Sequence, residues 1–190
     1  MRIIAGSARR IPLTAPKGQY TRPTADRVKE SLFNILAPNV ADARFLDLFC
    51  GSGAIGIEAL SRGASEAVFA DSSKDAIAAL TANFARAKLA GRIMPMCAIT
   101  ALSVLGKEGK AFDIVFMDPP YGQGLLSKAL DAMAVSNILS PEGIVVAEMH
   151  IDEEEPGAGP LVLHDSRTYG QTRLMFYTTP VLIKPLKPEK

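Results

Sequence analysis

Residues 44–62 read Arg-Phe-Leu-Asp-Leu-Phe-Cys-Gly-Ser-Gly-Ala-Ile-Gly-Ile-Glu-Ala-Leu-Ser-Arg, and this stretch decides the fold. The apolar run at 44–48 predicts a strand, and the pattern over 54–62 predicts a helix. Between them, Gly51 and Gly53 allow the backbone to turn tightly and to approach a ligand, and Gly56 allows the helix to pack closely on the strand. A glycine turn between a strand and a helix is typical of ligand-binding α/β sheets.

Strands and helices alternate on the C-terminal side of this stretch. The apolar patterns predict further strands over 66–70, 93–98, 113–117 and 144–148, and helices over 74–88 and 125–135. This alternation requires crossover connections, so it predicts an α/β fold with a buried, mostly parallel sheet. Two more strands, 161–167 and 172–178, flank the turn at 168–171 and predict an antiparallel hairpin at the end of the sheet.

The N-terminal part of the chain precedes this alternation. A helix is expected from Thr24, which can cap it, with Pro23 preventing its extension backwards. Residues 2–14 alternate weakly between apolar and polar side chains and predict a short hairpin. We therefore divide the chain into an N-terminal basic extension at 1–38, made of this hairpin and helix and packed on the rest, a main domain at 39–180 and a tail at 181–190.

The composition excludes several classes of protein. The chain has 190 residues, of which 48% are hydrophobic and 22% charged, as expected for one globular domain. No apolar run approaches the roughly 18 residues that span a bilayer, so a cytoplasmic protein without membrane contact is expected. Cys50 and Cys97 lack the paired spacing of a zinc site and are expected to be reduced and buried. His150 and His164 have no partners at metal-ligand spacing either, so we predict no metal.

The charge is unevenly distributed along the chain. Residues 1–30 hold seven Lys or Arg against Asp26 and Glu30, whereas the whole chain has a net charge of +1. A basic segment on a near-neutral body favours a polyanionic partner, because phosphate contacts release counterions. A basic segment that is merely solvated is the alternative.

The glycine turn also fits the G-x-G-x-x-G pattern of dinucleotide sites, and Asp71 follows Gly51 at about the spacing of an acid that binds ribose. Asp47 argues against a dinucleotide, because its carboxylate would face the pyrophosphate. S-adenosylmethionine carries an amino group and a sulfonium cation but no phosphate, so it tolerates that anion better. A turn that binds no ligand, and an Asp71 that only caps the helix after Ser72, are the alternatives.

Asp118-Pro119-Pro120-Tyr121 follows the fourth predicted strand at the same edge of the sheet. Consecutive prolines hold this segment rigid with its carbonyls turned outward. The Asp118 carboxylate and the Pro119 carbonyl can accept both N–H bonds of an aromatic amine, which frees its lone pair, and Tyr121 offers a ring for stacking. The motif therefore predicts methylation of a nucleobase amine. A proline-rich turn in which Tyr121 covers an apolar edge is the alternative.

These motifs resemble the amino-methylating branch of the class I S-adenosylmethionine-dependent methyltransferases. More closely, the chain resembles the RsmD family of bacterial 16S ribosomal RNA guanine-N2 methyltransferases. The matching stretches are Arg2-Ile-Ile-Ala-Gly6, Arg22-Pro-Thr-Ala-Asp-Arg-Val-Lys-Glu30 with Leu32-Phe33-Asn34, residues 47–53 with Gly56-Ile-Glu-Ala-Leu60, and residues 118–121. The Arg22–Glu30 stretch is the most specific marker, since many methyltransferases share the other motifs.

The resemblance implies a Rossmann-like class I methyltransferase fold, with a seven-stranded sheet, an antiparallel last strand and helices on both faces. It implies S-adenosylmethionine as cofactor, held by Asp47, Gly51, Gly53, Asp71 and Ser72. It also implies a flipped guanine of the guanine-966 type as the substrate base. The catalytic residues that would bind this base are Asp118, Pro119, Pro120 and Tyr121. After the third strand, Cys97 and Ala98 offer no side chain for the adenine amino group, so backbone groups are expected to hold it.

The resemblance also implies that ribosomal RNA, in an assembled or assembling small subunit, is the partner; a monomeric enzyme is favoured. The residues expected to hold this RNA are Arg9, Arg10, Arg22, Thr24 and Arg27. One rival function is adenine-N6 methylation of DNA or RNA, from which only Arg22–Glu30 separates this chain. A nicotinamide-dependent oxidoreductase would leave residues 118–121 without a role, and a non-catalytic RNA-binding module is the third alternative.

Overall fold

The computed structural model describes residues 1–16 and 23–180, with side chains for all of these except 23–25. Within these ranges the helices are α1 Pro23–Val40, α2 Ala54–Ser61, α3 Lys74–Ala87, α4 Ala98–Lys107 and α5 Leu125–Ser136. The strands are β1 Arg44–Leu48, β2 Glu66–Ala70, β3 Arg92–Met94, β4 Phe112–Met117, β5 Leu139–His150, β6 Val162–Tyr169 and β7 Thr172–Thr178. None of these helices is long and apolar enough to cross a membrane.

The seven strands form one sheet in the order β3-β2-β1-β4-β5-β7-β6. Strands β1 to β5 are parallel, and β7 pairs antiparallel with both β5 and β6. The predicted mostly parallel sheet with an antiparallel last strand is confirmed. Because the strand order reverses between β1 and β4, their carboxyl ends flank the crevice where ligands bind in such sheets.

The core lies on both faces of the sheet. On one face, α1, α2 and α3 contribute Leu32, Ile57 and Leu80 to a single apolar cluster with the strands. On the other face, α4 and α5 contribute Leu102 and Leu130 to a second cluster. Burial on both faces explains why the central strands are continuous apolar runs, and it confirms the expected layers of helices.

The sequence pattern did not predict α4, and it placed residues 93–98 in a strand. Strand β3 instead ends at Met94, before Pro95, which has no N–H to donate to a ladder. The buried residues of α4 fall at helical spacing, at Ala98, Ala101, Leu102 and Leu105. A short apolar segment of this kind does not by itself distinguish a helix from a strand. Since α4 begins at Ala98, Cys97 is exposed just before it, and the prediction of a buried thiol there is wrong.

Helix α1 also differs from the prediction. It begins at Pro23, so Thr24 lies within the first turn and is not the N-cap. Proline suits the start of a helix because its missing N–H has no acceptor there and its φ is already helical. The helix continues through Pro38 to Val40. The tail at 181–190 lies outside the described residues.

Within the first 16 residues, one antiparallel bridge between Arg2 and Pro12 closes a small hairpin. The buried Asn83 side chain of α3 accepts a hydrogen bond from the N–H of Thr14 (2.8 Å) and donates one to the carbonyl of Ser52 in the glycine turn (3.0 Å). One amide group therefore fixes the end of the hairpin beside the glycine turn.

A buried charge cluster fixes the same hairpin on α2. The fully buried Glu58 carboxylate accepts hydrogen bonds from the N–H groups of Ile4 (2.7 Å) and Ala5 (2.9 Å). It also pairs with Nε of Arg62 (2.8 Å) and with Nζ of Lys29 (3.4 Å). Lys29 is only 3% exposed, and burial lowers its pKa. Lys29 is therefore paired with Glu58 inside the fold and is not available to contact a partner.

Candidate active site

A cavity of about 1240 Å³ lies at the carboxyl ends of β1, β2, β4 and β5. The glycine turn after β1 and the residues after β2 line one part of it. Residues 118–121 after β4 line another part, together with the end of β5. The structure thus brings both predicted motifs to one cavity.

Asp71 organises the glycine turn. Its Oδ2 accepts a hydrogen bond from the N–H of Gly51 (2.9 Å), and its Oδ1 accepts one from the N–H of Ser73 (2.8 Å). Gly51 has a φ of 53°, and a Cβ added there would meet nothing within 4 Å. Ser73, not Asp71, is the N-cap of α3, with its hydroxyl accepting from the N–H of Ala76 (3.3 Å). Asp71 and Ser72 both line the cavity.

Asp47 and Gly53 have different positions in the turn. Asp47 is 1% exposed, and its Oδ2 accepts a hydrogen bond from the N–H of Gly56 (2.9 Å). Burial raises the pKa of Asp47 to about 8. Gly53 has a φ of 76°, and a Cβ there would lie 2.3 Å from Cδ1 of Leu80. Gly53 therefore shapes the turn without lining the cavity, whereas Asp47 and Gly51 line it.

Asp118 and Glu148 are neighbours at the edge of the sheet. The residues that precede them, Met117 and Ala147, are paired in the parallel register of β4 and β5. Asp118 is open to the cavity yet surrounded by protein atoms, and this burial, together with the charge of Glu148, raises its pKa well above the usual range. Burial also raises the pKa of Glu148 to about 7. The cavity therefore contains two adjacent carboxyl groups that bind protons more readily than ordinary acids.

Tyr121 lines the cavity and is 44% exposed. Its hydroxyl donates a long hydrogen bond to Oε1 of Glu148 (3.4 Å). The centre of its ring lies 5.7 Å from that of His150, with the two planes tilted by 57°. Tyr121 is thus oriented by neighbours on β5 while part of its surface is open for stacking.

Comparisons with known proteins give the family. A family model described as Conserved hypothetical protein 95 matches residues 1–178. The Escherichia coli protein named Ribosomal RNA small subunit methyltransferase D is 36% identical over 178 residues, which cover 93% of this chain and 89% of that protein. The chain belongs to the RsmD family.

Two further proteins resemble this RsmD-family chain over nearly its whole length. YlbH of Bacillus subtilis, provisionally named as an rRNA methyltransferase, is 38% identical over 180 residues, covering 93% of this chain and 98% of YlbH. The structure of a hypothetical protein from Thermus thermophilus matches with a TM-score of 0.83 at 30% identity, covering 94% of this chain and 99% of that one. The predicted family and the Rossmann-like methyltransferase fold are confirmed.

Three residues of this RsmD-family site were not predicted from the sequence: Glu148, His150 and Glu153. His150 ends β5 and lines the cavity. Glu153 lies in the acidic stretch at 152–155. Its Oε1 accepts a hydrogen bond from the N–H of Gly122 (2.6 Å) and its Oε2 one from the N–H of His150 (3.1 Å), so it fixes the segment after Tyr121. The predicted strand over 144–148 ends on Glu148, but a single acid at a strand end does not by itself mark a site.

The residues predicted to hold RNA lie outside the cavity lining where the structure describes them. Arg9, Arg10 and Arg27 are exposed. Arg22 and the side chain of Thr24 lie outside the described part of the chain. Lys29 contributed to the basic charge of the N-terminal segment, but it is buried against Glu58. The segment therefore presents less positive charge to a partner than its sequence indicated.

The two thiols are free, and their environments differ. Cys50 is buried, and burial raises the pKa of its thiol. The thiol of Cys97 is hydrogen-bonded with the hydroxyl of Thr100 (3.1 Å), which lowers its pKa. Across residues 1–16 and 23–180, no three His, Cys, Asp or Glu side chains come together in a way that could hold a metal ion.

Proposed function

We propose that this chain transfers a methyl group from S-adenosylmethionine to the exocyclic N2 amine of a guanine in 16S ribosomal RNA, a guanine of the guanine-966 type. One observation carries the proposal: the glycine turn and Asp118–Tyr121 line the same cavity. A methyl donor at the first motif and a base at the second would therefore be held together, and such positioning supplies much of the rate gain in a two-substrate reaction.

The charges of the cavity favour S-adenosylmethionine over a dinucleotide. Four carboxyl side chains line it, at Asp47, Asp71, Asp118 and Glu148. Among the described lining residues the only Lys or Arg is Lys29, whose charge is paired with Glu58. A pyrophosphate would find no unpaired cation among these residues, whereas an ammonium and a sulfonium would be attracted to their carboxyl groups. A cationic ligand would also favour the ionised form of Asp47, opposing the effect of burial on its pKa.

The cofactor would be held by Asp47, Gly51, Asp71 and Ser72, and it supplies an electrophilic methyl group on a sulfonium sulfur. The exposed backbone of Gly51 lets a ligand approach closely, because no side chain lies between them. Asp71 can accept hydrogen bonds from the ribose hydroxyls while it fixes the turn. Gly53 does not line the cavity, but it allows the turn to stay tight because a Cβ there would collide with Leu80.

On the base side, Asp118 and Pro119 make the amine nucleophilic. The lone pair of the guanine N2 amine is delocalised into the ring, and acceptors for both N–H bonds free it for attack. The Asp118 carboxylate and the Pro119 carbonyl provide these acceptors, with Pro120 stiffening the segment. Tyr121 stacks on the base and orients the nitrogen toward the methyl group. The new N–C bond would form as the sulfur–methyl bond breaks, and Asp118 would accept the proton that the amine then loses.

The pH dependence of methylation follows from the two carboxyl groups. Asp118 can accept the proton of the amine only when it is ionised, and burial together with the charge of Glu148 holds its pKa above the usual range; burial raises the pKa of Glu148 itself to about 7. We therefore expect kcat/KM to rise between about pH 6 and pH 8 and then to level off. Glu148→Gln removes a charge that raises the pKa of Asp118, so it should shift the rise to lower pH. A flat profile across this interval for the unchanged protein would contradict the assignment.

The exposed arginines of the N-terminal extension would bind phosphates of ribosomal RNA in the small subunit. Replacing Arg9, Arg10 and Arg27 with Ala should weaken binding to small subunits and make the slope of log affinity against log salt shallower by about two to three. Filter binding at several salt concentrations measures both quantities. The matched control replaces Lys107 and Lys110, which are exposed and lie shortly before β4, near the amino end of that strand and away from the cavity at its carboxyl end. This control should leave the slope unchanged. An unaltered slope in the arginine variant would mean that these residues do not contact phosphate.

Isothermal titration separates this proposal from the nicotinamide alternative. S-adenosylmethionine should bind to the protein with a stoichiometry of about one, and NAD should give no heat above dilution at the same concentrations. Tight NAD binding with no S-adenosylmethionine binding would overturn the proposal. Asp71→Ala should weaken the affinity for S-adenosylmethionine by about 10-fold or more. It removes the acceptor for the ribose hydroxyls and also the hydrogen bond from the N–H of Gly51 that holds the turn.

A further inference from the structure

Glu148 has no role in activating the amine, yet its position places it next to that amine. It follows Ala147 on β5 as Asp118 follows Met117 on β4, and these preceding residues are register partners. Both acids line the cavity. A base whose amine is bound by Asp118 would therefore present the next atom of its edge to Glu148.

That next atom distinguishes the purines. In guanine, N1 lies beside the carbon that bears the N2 amine, and N1 carries a hydrogen. In adenine, N1 lies beside the carbon that bears the N6 amine, and N1 has only a lone pair. An ionised carboxylate accepts hydrogen bonds and donates none, so it complements the first edge and repels the second.

We infer that Glu148 selects guanine over adenine by accepting the N1–H of the base while Asp118 and the Pro119 carbonyl hold its amine. This inference rests on the proposed function and names the residue that sets its base specificity. Within the described residues, the hydrogen bond to the Glu148 carboxylate is the long one from Tyr121 to Oε1, which leaves Oε2 able to accept. This hydrogen bond also fixes the Glu148 carboxylate relative to the Tyr121 ring, on which the base would stack.

Other groups near Glu148 do not make this distinction. His150 also lines the cavity, but an imidazole can donate from one ring nitrogen and accept at the other, so it does not discriminate between the two bases. The Tyr121 hydroxyl can likewise donate or accept. Asp118 and Pro119 bind the exocyclic amine, which both purines have. Selection therefore falls to the second carboxylate.

The test compares guanine with 2-aminopurine, which keeps the N2 amine but has a lone pair at N1. The probe is 16S RNA in which the nucleotide methylated by the unchanged protein is replaced with 2-aminopurine by ligation of a synthetic fragment, then assembled into small subunits. The unchanged protein should prefer guanine by about 10- to 100-fold in kcat/KM. Glu148→Gln can donate its amide N–H to N1, so its preference should fall to within about threefold.

Comparing both substrates with both proteins cancels the effect of the oxygen that 2-aminopurine lacks, because this loss is common to the two proteins. Glu142→Gln, the same change at an exposed position of β5, is the matched control and should keep the full preference. Glu148→Asp retains a carboxylate, so it should keep the sign of the preference even if its rate falls.

The outcomes are distinct. An equal guanine preference in Glu148→Gln and the unchanged protein would overturn the inference and leave guanine-N2 methylation standing. No methylation of guanine-bearing subunits by the unchanged protein would instead overturn the proposed function. If Glu148→Gln fails to fold, as judged by its thermal transition, Glu148→Asp decides: a preference reversed toward 2-aminopurine would contradict selection by a carboxylate.

Discussion

Replacing Asp118 with Ala is expected to lower kcat for methyl transfer by about 10²- to 10⁴-fold, which is the range for losing a positioned proton acceptor. The dissociation constant for S-adenosylmethionine should stay within about threefold, because the proposed cofactor contacts lie at the glycine turn and Asp71. Single-turnover methylation of small subunits gives the rate, and isothermal titration gives the affinity. The combination separates a residue that acts on the base from one that holds the cofactor.

Asp118→Asn separates the two roles of the carboxylate, which are to accept a hydrogen bond and to accept a proton. Its amide oxygen can still accept one N–H of the base, but it takes up a proton far less readily than a carboxylate. We expect its rate to lie between those of the unchanged protein and Asp118→Ala. A large loss of S-adenosylmethionine affinity in Asp118→Ala, with little change in single-turnover rate at saturating cofactor, would refute the role assigned to Asp118.

Replacing Glu58 with Ala is expected to reduce the free energy of unfolding by about 3–5 kcal/mol, the cost of breaking a buried ion pair on one side. The change leaves Lys29 buried next to Arg62 without its carboxylate. It also removes the acceptor of the N–H groups of Ile4 and Ala5. Urea denaturation followed by circular dichroism measures the difference.

Glu30→Ala, on the exposed surface of α1, is the matched control and should change stability by less than about 0.5 kcal/mol. Lys29→Met should cost less than Glu58→Ala, because Glu58 would keep Arg62 and both backbone donors. A Glu58→Ala protein within about 1 kcal/mol of the unchanged one would show that the cluster does not anchor the hairpin. Since Met1, Ala15 and Pro16 line the cavity, loss of this anchor should also weaken substrate binding.

The sequence predicted the sheet well because its strands are buried on both faces. Strands β1 and β2 have the expected bounds, since continuous apolar runs flanked by turns allow few other interpretations. Helix α4 was missed because its four buried residues lie in a short segment after Pro95. The start of α1 was misplaced by one residue because both Pro23 and Thr24 are favourable near a helix N-terminus.

The site could be predicted only where a motif marks it. Asp118–Tyr121 and the glycine turn are recognisable by composition, and the structure places them at one cavity. Glu148 and Glu153 are single acids in ordinary contexts, and their roles depend on the register of β4 with β5 and on a contact with Gly122. Lys29 counted toward the basic charge of the sequence, although its partner Glu58 lies 29 residues away in the chain and buries it. Such long-range pairings are not encoded in local pattern.

The identity of the nucleoside that this protein methylates tests guanine-N2 methylation directly. Small subunits from cells that lack the protein are incubated with it and with S-adenosylmethionine carrying a heavy-isotope methyl group. The 16S RNA is then digested, and its nucleosides are identified by mass, fragmentation and retention time against standards. We expect isotope in N2-methylguanosine, absent when Asp118→Ala is used. Isotope in N6-methyladenosine, or none in the RNA, would contradict guanine-N2 methylation.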